Sequence, residues 1–429
     1  MPFPLHIEQI AYGGRGVARH EGKVCFIPGV LPGETVEAEL IRDHGSYIEA
    51  KALSLLSPSP SRIPTTCPLA LSIPKNKPTH TPRPPVCPGC CYQHMAYETE
   101  LQIKQDHLCQ LLERHLPSSQ YSMWEGRSAP RQTAHSSEFT APSYILPPVA
   151  SPLSLGYRNK MALHVQRDGS DLRLGYFMED NTTIIDVPAC PLAMPQLNDL
   201  LAERRRDGSF MHSLRNDMNL TFRWTERDGA TWWRGRAAEN DIWLVESSPV
   251  GPLSVPRNSF YQTNPAVARL LVEEVMRLLA TDHPDRVIDL YCGVGIFALA
   301  AAHQGFSKVI GLDVDGPALK AAEYNAKKLG HPEIQWIAGS AHKTSLASLK
   351  SNLPTTAIVD PPRTGLGRAM IKQLTSLAPS RILYISCAAD TMARDVAWLK
   401  ESGFTVKQSQ LFDMFPRTPH FESLTELAL

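Results

Sequence analysis

Apolar and polar positions follow two different periodicities along the chain. In residues 1–58, short apolar runs alternate with glycine turns, and the segments 24–28 and 35–40 have the alternation of β-strands. Several short strands joined by turns are typical of a small antiparallel barrel. From residue 264 onward, helical periodicity alternates instead with short, continuously apolar strands. That alternation predicts a doubly wound parallel sheet with helices on its faces.

Individual elements follow from the same patterns. In the C-terminal region a helix is predicted over 265–280, and strands over 286–290, 308–312, 334–338, 356–360, 381–386 and 404–412. In the middle of the chain, helices are predicted over 93–116 and near 193–206, and strands over 161–165, 172–177, 220–224 and 241–245. The predicted fold class is therefore α/β: a Rossmann-like domain (256–429), a central α+β domain (59–255) and an OB-like β-barrel (1–58).

Two stretches interrupt these patterns. Residues 72–86 are rich in proline, and residues 117–155 are rich in serine, proline and threonine. Such compositions disfavour regular structure. We expect both stretches to be exposed loops or insertions.

Composition narrows the class of protein without revealing its activity. The 429 residues carry 43 Lys and Arg against 43 Asp and Glu, so net charge alone gives no support for a nucleic-acid partner. The arginines at 204–206 are compatible with a basic patch or with an ion-paired, solvated face. No apolar run reaches 18 residues and no signal-peptide pattern opens the chain, which predicts a cytoplasmic protein without a membrane partner. In that setting, the nine cysteines favour metal or nucleophile roles over disulfides.

A glycine-rich turn follows the first strand of the predicted parallel sheet. Asp289 lies near the end of that strand, and Gly293 and Gly295 let the backbone approach a ligand at the start of the next helix. Asp313 ends the second strand, where a carboxylate can accept both hydroxyls of a ribose. The glycine spacing also fits a dinucleotide site, but Asp289 would then face a pyrophosphate. A carboxylate there suits the cationic amino-acid end of S-adenosylmethionine, which favours a methyltransferase.

Later segments place reactive groups at strand ends. Asp360, followed by two prolines, comes after the fourth strand, and Cys387 comes after the fifth. A cysteine at the carboxyl end of a strand has the position of a nucleophile, whereas a cysteine within a strand indicates packing. His420 and Glu422 are two residues apart, on the same side of an extended segment. Alone, Glu422 has the pattern of a surface acid; beside a nucleophile it is a candidate base.

Taken in order, these motifs resemble those of the RNA 5-methyluridine methyltransferase family, with an N-terminal region similar to a TRAM domain. The matching stretches are 260–264, 360–363, 386–387 with 391–395, and 415–422. The resemblance implies that the Cys387 thiolate attacks carbon 6 of a uridine. Carbon 5 then takes the methyl group of S-adenosylmethionine, and Glu422 removes the proton from carbon 5.

The same resemblance implies roles for the surrounding residues. Gln262 and Asp360 orient the uracil and the cofactor, and Phe260 stacks on a uridine that is flipped out of its helix. The implied cofactor-binding residues are Gln262, Asp289, Tyr291, Gly293, Asp313 and Asp360. The chain departs from the family at Ala388-Ala389, where Asn-Pro is usual. Alanines there predict a less rigid loop around the same nucleophile.

Four further cysteines form a second constellation: Cys67, Cys87, Cys90 and Cys190. Four thiolates can hold an iron–sulfur cluster, and the stretch from Cys87 to His94 resembles the cluster-binding stretch of many family members. We predict a [4Fe-4S] cluster, with zinc as the rival metal and Cys91 as a substitute ligand. The remaining cysteines, Cys25, Cys109 and Cys292, have the pattern of buried small hydrophobic residues.

Other functions use part of this pattern. A cytosine-5 methyltransferase also attacks carbon 6 through a cysteine, but the Glu422 motif favours uridine. A non-catalytic RNA-binding or assembly factor would have no need to keep Cys387, Glu422, Gln262 and Asp360 together. The resemblance implies structured RNA as the partner, and the cysteine set favours 23S ribosomal RNA over the T-loop of transfer RNA. We expect a monomer.

Overall fold

A computed structural model describes residues 1–74, 85–116, 142–169, 171–235 and 242–429. Most of the two irregular stretches, 75–84 and 117–141, therefore lies outside the described residues, and so do the predictions made for them. None of the described helices is both long and apolar enough to cross a membrane.

The N-terminal part forms one six-stranded sheet. Its strands are β1 (Phe3–His6), β2 (Gln9–Ile10), β3 (Gly16–His20), β4 (Lys23–Ile27), β5 (Thr35–Asp43) and β6 (Tyr47–Ser57). They lie in the order β1-β5-β6-β4-β3-β2. All neighbours are antiparallel except β4 and β6, which differs from the wholly antiparallel arrangement expected. The reason is that β5 pairs with β6 rather than with β4, so β6 returns beside β4 in the same direction.

The first helix, α1 (Tyr97–His115), begins four residues later than the predicted start at 93. Residues just before it form a turn, in which the Met95 N–H donates to the Tyr92 carbonyl oxygen. The apolar face of α1, including Leu108 and Leu112, packs in the same core as the C-terminal sheet. Its other buried residues include Glu100 and Lys104, and such residues are rarely buried unless they are paired.

The central part is the mixed α+β unit expected from its periodicity. Its strands are β7 (Lys160–Asp168), β8 (Asp171–Phe177), β9 (Ile184–Asp186), β10 (Asn219–Thr225) and β11 (Gly229–Arg234), with a separate hairpin of β12 (Trp243–Glu246) and β13 (Leu253–Pro256). The five-stranded sheet has the order β11-β10-β7-β8-β9 and is antiparallel throughout. Helices α2 (Pro195–Arg206) and α3 (Gly208–Ser213) lie beside it, and Leu197, Leu201 and Phe210 from them join its core.

The C-terminal part contains the predicted α/β sheet. Its strands are β14 (Arg286–Leu290), β15 (Val309–Asp313), β16 (Gln335–Ala338), β17 (Thr355–Val359), β18 (Arg381–Ser386), β19 (Thr405–Phe412) and β20 (Glu422–Ala428). Its helices are α4 (Pro265–Asp282), α5 (Ile296–His303), α6 (Gly316–Leu329), α7 (Gly367–Leu377) and α8 (Ala389–Glu401). The strand order is β16-β15-β14-β17-β18-β20-β19.

Five strands of this sheet are parallel, as predicted, but β20 is antiparallel to both of its neighbours. The sequence did not predict β20 as a strand, because polar residues such as Glu422, Ser423 and Thr425 occupy buried positions in it. The strand order reverses direction between β14 and β17. In open α/β sheets, ligands bind at the carboxyl ends of the strands beside such a switch point.

Candidate active site

The turn after β14 has the backbone conformation that close approach to a ligand requires. Tyr291, Gly293 and Gly295 all have positive φ angles, of 64°, 54° and 82°. The Gly293 N–H donates to Asp313 Oδ2 at 2.7 Å, and the Asp315 N–H donates to Asp313 Oδ1 at 2.8 Å. A carboxylate has about four lone-pair sites. Asp313 therefore fixes the turn and keeps capacity to accept hydrogen bonds from a ligand.

Asp289 is a buried carboxylate with an unsatisfied oxygen. Its Oδ2 accepts the Ala298 N–H at 3.0 Å, whereas Oδ1 has no hydrogen-bond partner among the described residues. Burial raises the pKa of Asp289 well above its ordinary value, and the charges of Asp360 and Asp313 raise it further. Burial also raises the pKa of Asp360, to about 7, with a contribution from Asp313. A cationic ligand would relieve this concentration of buried acids.

Several predicted residues line one cavity beside these acids. Phe260, Gln262, Tyr291, Gly293 and Asp360 all contribute to its wall. Phe260 is 68% exposed, which leaves its ring free to stack on an incoming group. The structure thus brings together the glycine-rich turn after β14, the segment before α4 and the carboxyl end of β17.

Cys387 lies in the turn between β18 and α8, half-buried. The Ser386 hydroxyl accepts the Ala388 N–H and also lies 3.1 Å from the Ala388 carbonyl oxygen, to which it donates. The Thr391 hydroxyl lies 3.0 Å from the Ala388 and Arg363 carbonyl oxygens. Side chains of Ser386 and Thr391 therefore make hydrogen bonds within this turn, which contains Ala388-Ala389 in place of the family's usual Asn-Pro.

Acidic and basic groups surround the Cys387 thiol. The pKa of the thiol is raised to about 11 by burial first and by the Glu422 carboxylate second, and the Arg363 guanidinium, within hydrogen-bonding reach, acts in the opposite direction. Glu422 is 4% exposed, and its Oε2 has no hydrogen-bond partner among the described residues. Burial raises the pKa of Glu422 well above its ordinary value, and Asp360 adds to that effect. The predicted nucleophile and base are thus neighbours.

Two residues of this site were missed by the sequence interpretation. Arg363 had been noted only as part of a motif, yet it acts electrostatically on Cys387, Glu422 and His420. Tyr12 comes from the N-terminal sheet, where it contacts the backbone of Ala389 and packs edge-to-face on Phe421 at 6.4 Å. No local pattern marks Tyr12, because the residues of the site that it contacts, Ala389 and Phe421, lie more than 300 positions away.

The four predicted metal ligands, Cys67, Cys87, Cys90 and Cys190, line one cavity of about 240 Å³. Within the part of the chain that the structure describes, no group of three or more Cys, His, Asp or Glu side chains is arranged to hold a metal ion. Two polar side chains lie near these thiols, Tyr176 beside Cys190 and Gln93 beside Cys90. Cys91 does not line this cavity, and its side chain packs on Gly14.

Two of the three arginines at 204–206 are ion-paired, and Arg206 donates to the Ala202 carbonyl oxygen. Arg204 pairs with Glu203 and Asp207, and Arg205 pairs with Asp186 at 2.8 Å. Their geometry favours the ion-paired alternative.

Comparison with known proteins adds independent information. Residues 253–428 match the family model described as tRNA (uracil-5-)-methyltransferase, and residues 3–53 match the TRAM domain model. The 23S rRNA (uracil(1939)-C(5))-methyltransferase RlmD of Pectobacterium atrosepticum is 29% identical over 448 residues, covering 96% of this chain and 90% of that protein. An uncharacterized RNA methyltransferase of Halalkalibacterium halodurans is 27% identical, covering 99% and 96%.

Among solved structures, the Pyrococcus abyssi tRNA (uracil-54, C5)-methyltransferase in complex with S-adenosyl-L-homocysteine is similar over its whole length. Its TM-score is 0.70 at 22% identity, and the alignment covers 100% of both chains. At this identity, the likeness establishes a shared fold.

The geometry around Cys387 makes its reactivity testable without any substrate. Arg363→Gln should slow alkylation of Cys387 by iodoacetamide about tenfold at pH 8, because loss of the cation raises the thiol pKa and lowers the thiolate fraction. Peptide-resolved mass spectrometry measures the rate. Arg368→Gln, which removes an exposed arginine of α7, is the matched control. Equal rates in both variants would show that Arg363 does not act on the thiol.

Proposed function

We propose that this chain is an S-adenosylmethionine-dependent member of the tRNA (uracil-5-)-methyltransferase family, whose model matches residues 253–428, and that it methylates carbon 5 of a uridine in RNA through a covalent cysteine adduct. The observation that carries the proposal is the position of Cys387, at the carboxyl end of β18, beside the buried carboxylate of Glu422. A nucleophile next to a base with a raised pKa is the pair that this reaction requires.

In the proposed reaction, the Cys387 thiol loses its proton to solvent through its half-exposed side and forms a bond from Sγ to carbon 6 of the uracil. The electron pair of the carbon 5–carbon 6 double bond moves toward oxygen 4, which makes carbon 5 nucleophilic. S-adenosylmethionine supplies the methyl group for carbon 5 and leaves as S-adenosylhomocysteine. Glu422 then accepts the proton of carbon 5, the double bond forms again, and the thiolate leaves.

The cofactor would occupy the acid-rich end of β14 and β15. Asp289 has a free, buried oxygen for the cationic amino-acid end, and Asp313 keeps acceptor sites for the ribose hydroxyls. Tyr291, Gly293 and Asp360 would line the remainder of the site. A positively charged ligand fits here because it offsets the repulsion between buried carboxylates.

The target base would enter from the other side of the same cavity. Phe260 would stack on the flipped uracil, and Gln262 and Asp360 would orient its polar edge. Burial raises the pKa of Asp360 to about 7, so near neutrality it can be a hydrogen-bond donor as well as an acceptor.

We favour 23S ribosomal RNA as the substrate. The RlmD relatives named for that RNA align with 96% of this chain or more, and the transfer-RNA enzyme at 22% identity shares only the fold. The proposed division into a TRAM-like RNA-binding barrel (1–58), a central domain (59–255) and a catalytic domain (256–429) suits a large, structured substrate. The cytoplasmic location and the monomeric state stay predictions.

The four cysteines that line the cavity have the donor chemistry of an iron–sulfur site. Four thiols surround a space larger than one metal ion, and the Gln93 Nε2 group is buried without a partner that satisfies hydrogen-bond geometry among the described residues. Hydrogen bonds to cysteine sulfur are a common feature of such clusters. We propose that Cys67, Cys87, Cys90 and Cys190 hold a [4Fe-4S] cluster.

Trapping the adduct tests the proposed chemistry. With RNA and S-adenosylmethionine, Glu422→Gln should accumulate a covalent enzyme–RNA complex and slow turnover at least about 100-fold, because adduct release needs a base. Denaturing electrophoresis with labelled RNA measures the complex. Cys387→Ala should form none. An adduct in Cys387→Ala would overturn the nucleophile assignment, and normal turnover in Glu422→Gln would overturn the base assignment.

Substrate choice is tested with two transcripts. A 23S ribosomal RNA fragment should acquire 5-methyluridine, detected by nucleoside mass spectrometry, with kcat/KM at least about tenfold higher than for transfer RNA, which corresponds to 1.4 kcal/mol. Comparable or preferential methylation of transfer RNA would reverse the choice of substrate and leave the reaction assignment intact.

Anaerobic purification tests the cluster. The protein should be brown and contain about four iron atoms and four sulfides per chain. Cys90→Ser should lose most of this iron, whereas Cys91→Ser, the adjacent control, should retain it. A colourless protein with one zinc ion would overturn the cluster, and iron loss in Cys91→Ser would make Cys91 a ligand.

A further inference from the structure

A buried ionic cluster joins α1 to the segment that precedes the proposed base. Lys104 Nζ donates to Glu100 Oε1 and Asp413 Oδ1, both at 2.7 Å, and to the Phe415 carbonyl oxygen at 3.2 Å. The side chains of Lys104, Glu100 and Asp413 have no exposed surface. An ammonium group has three hydrogens to donate, so the three acceptors satisfy Lys104 completely.

The same cluster holds the following residues of this segment. Tyr97 donates its hydroxyl hydrogen to Asp413 Oδ2 at 2.8 Å, and the Arg417 N–H donates to Glu100 Oε1 at 2.7 Å. Arg417 Nη1 donates to the Met95 carbonyl oxygen at 2.8 Å. Arg417 has a φ of 68°, which is costly for a residue with a side chain and persists only where its surroundings impose it.

Stability alone does not account for this arrangement. The cluster contains two cations, Lys104 and Arg417, and two anions, Glu100 and Asp413. Buried ion pairs of this kind are often no more stable than apolar side chains of similar volume, because desolvation offsets their attraction. What they supply here is defined geometry, since the bonds from Lys104 and Tyr97 and the bond to Glu100 fix atoms of Asp413, Phe415 and Arg417.

The fixed geometry of residues 413–417 bears on the position of Glu422. Residues 413–421 connect β19 to β20, and Glu422 is the first residue of β20. Its Oε2 has no hydrogen-bond partner among the described residues. The Glu422 backbone is held by its pairing with Phe412 in β19 and by the 413–421 segment that leads to it, and no hydrogen bond to Oε2 holds the carboxylate itself among the described residues.

We propose that Lys104, together with Glu100 and Asp413, is a positioning residue for catalysis: the cluster holds the 413–421 segment so that the Glu422 carboxylate meets the proton on carbon 5. This inference rests on the proposed function. It assigns the cluster to the release step, because Cys387 lies on a different turn and attacks before the base is needed.

Two variants separate positioning from folding. Lys104→Met removes the ammonium group and leaves one uncompensated buried anion. Lys104→Met with Asp413→Asn removes one cation and one anion, so the cluster stays neutral and the fold is kept. In both variants we expect the covalent adduct to form at the wild-type rate and to be released about 100-fold more slowly, as expected for a catalytic group displaced by about 1 Å. KM for S-adenosylmethionine should change less than about twofold.

Arg381→Met is the matched control. It breaks a buried ion pair with Glu426 at the start of β18, the end of that strand remote from Cys387. It should lower the melting temperature without slowing adduct release. Normal release in the neutral double variant, or equal loss of adduct formation and release, would overturn the positioning role. Absence of adduct and of methylation in the wild-type protein would instead overturn the proposed function.

Discussion

Burial of carboxylates that lack full compensation is the constraint on which this structure depends. Asp289, Asp360 and Glu422 lie at the carboxyl ends of neighbouring strands or beside them, and burial raises the pKa of each. Isolated buried charges are among the most costly features that a fold can contain. Here the sheet brings them together next to a cavity. A cationic ligand bound in that cavity would offset the cost of burying them.

Much of this site follows from the sequence because parallel strands end at one edge. Asp289, Asp360 and Cys387 each lie at or just after a strand end that hydrophobic periodicity identifies, and their proximity follows from the topology. Glu422 was predicted as a candidate base through its motif, but its strand was not predicted, because polar residues in β20 are buried rather than solvated. The hydrophobicity pattern identifies buried positions only where the buried residues are apolar.

Other parts of the site have no local signal. Lys104 and Glu100 have the spacing of an ordinary surface pair on a helix, and only the structure shows that the pair is buried against Asp413. Tyr12 reaches the nucleophile loop from the N-terminal sheet. Contacts between residues so distant in the chain depend on how the sheets pack, which no short stretch of sequence encodes.

The packing of α1 makes it part of the same structural unit as the C-terminal sheet, although it lies outside that part of the sequence. The helix lies far from β19 and β20 in the chain, yet its apolar face shares their core and its ammonium group neutralises Asp413. A chimera that exchanged the C-terminal sheet between relatives at residue 256 would keep the original α1. That helix would then pack against a sheet that it does not match. Recombination of such enzymes would therefore have to transfer residues 97–115 together with the sheet.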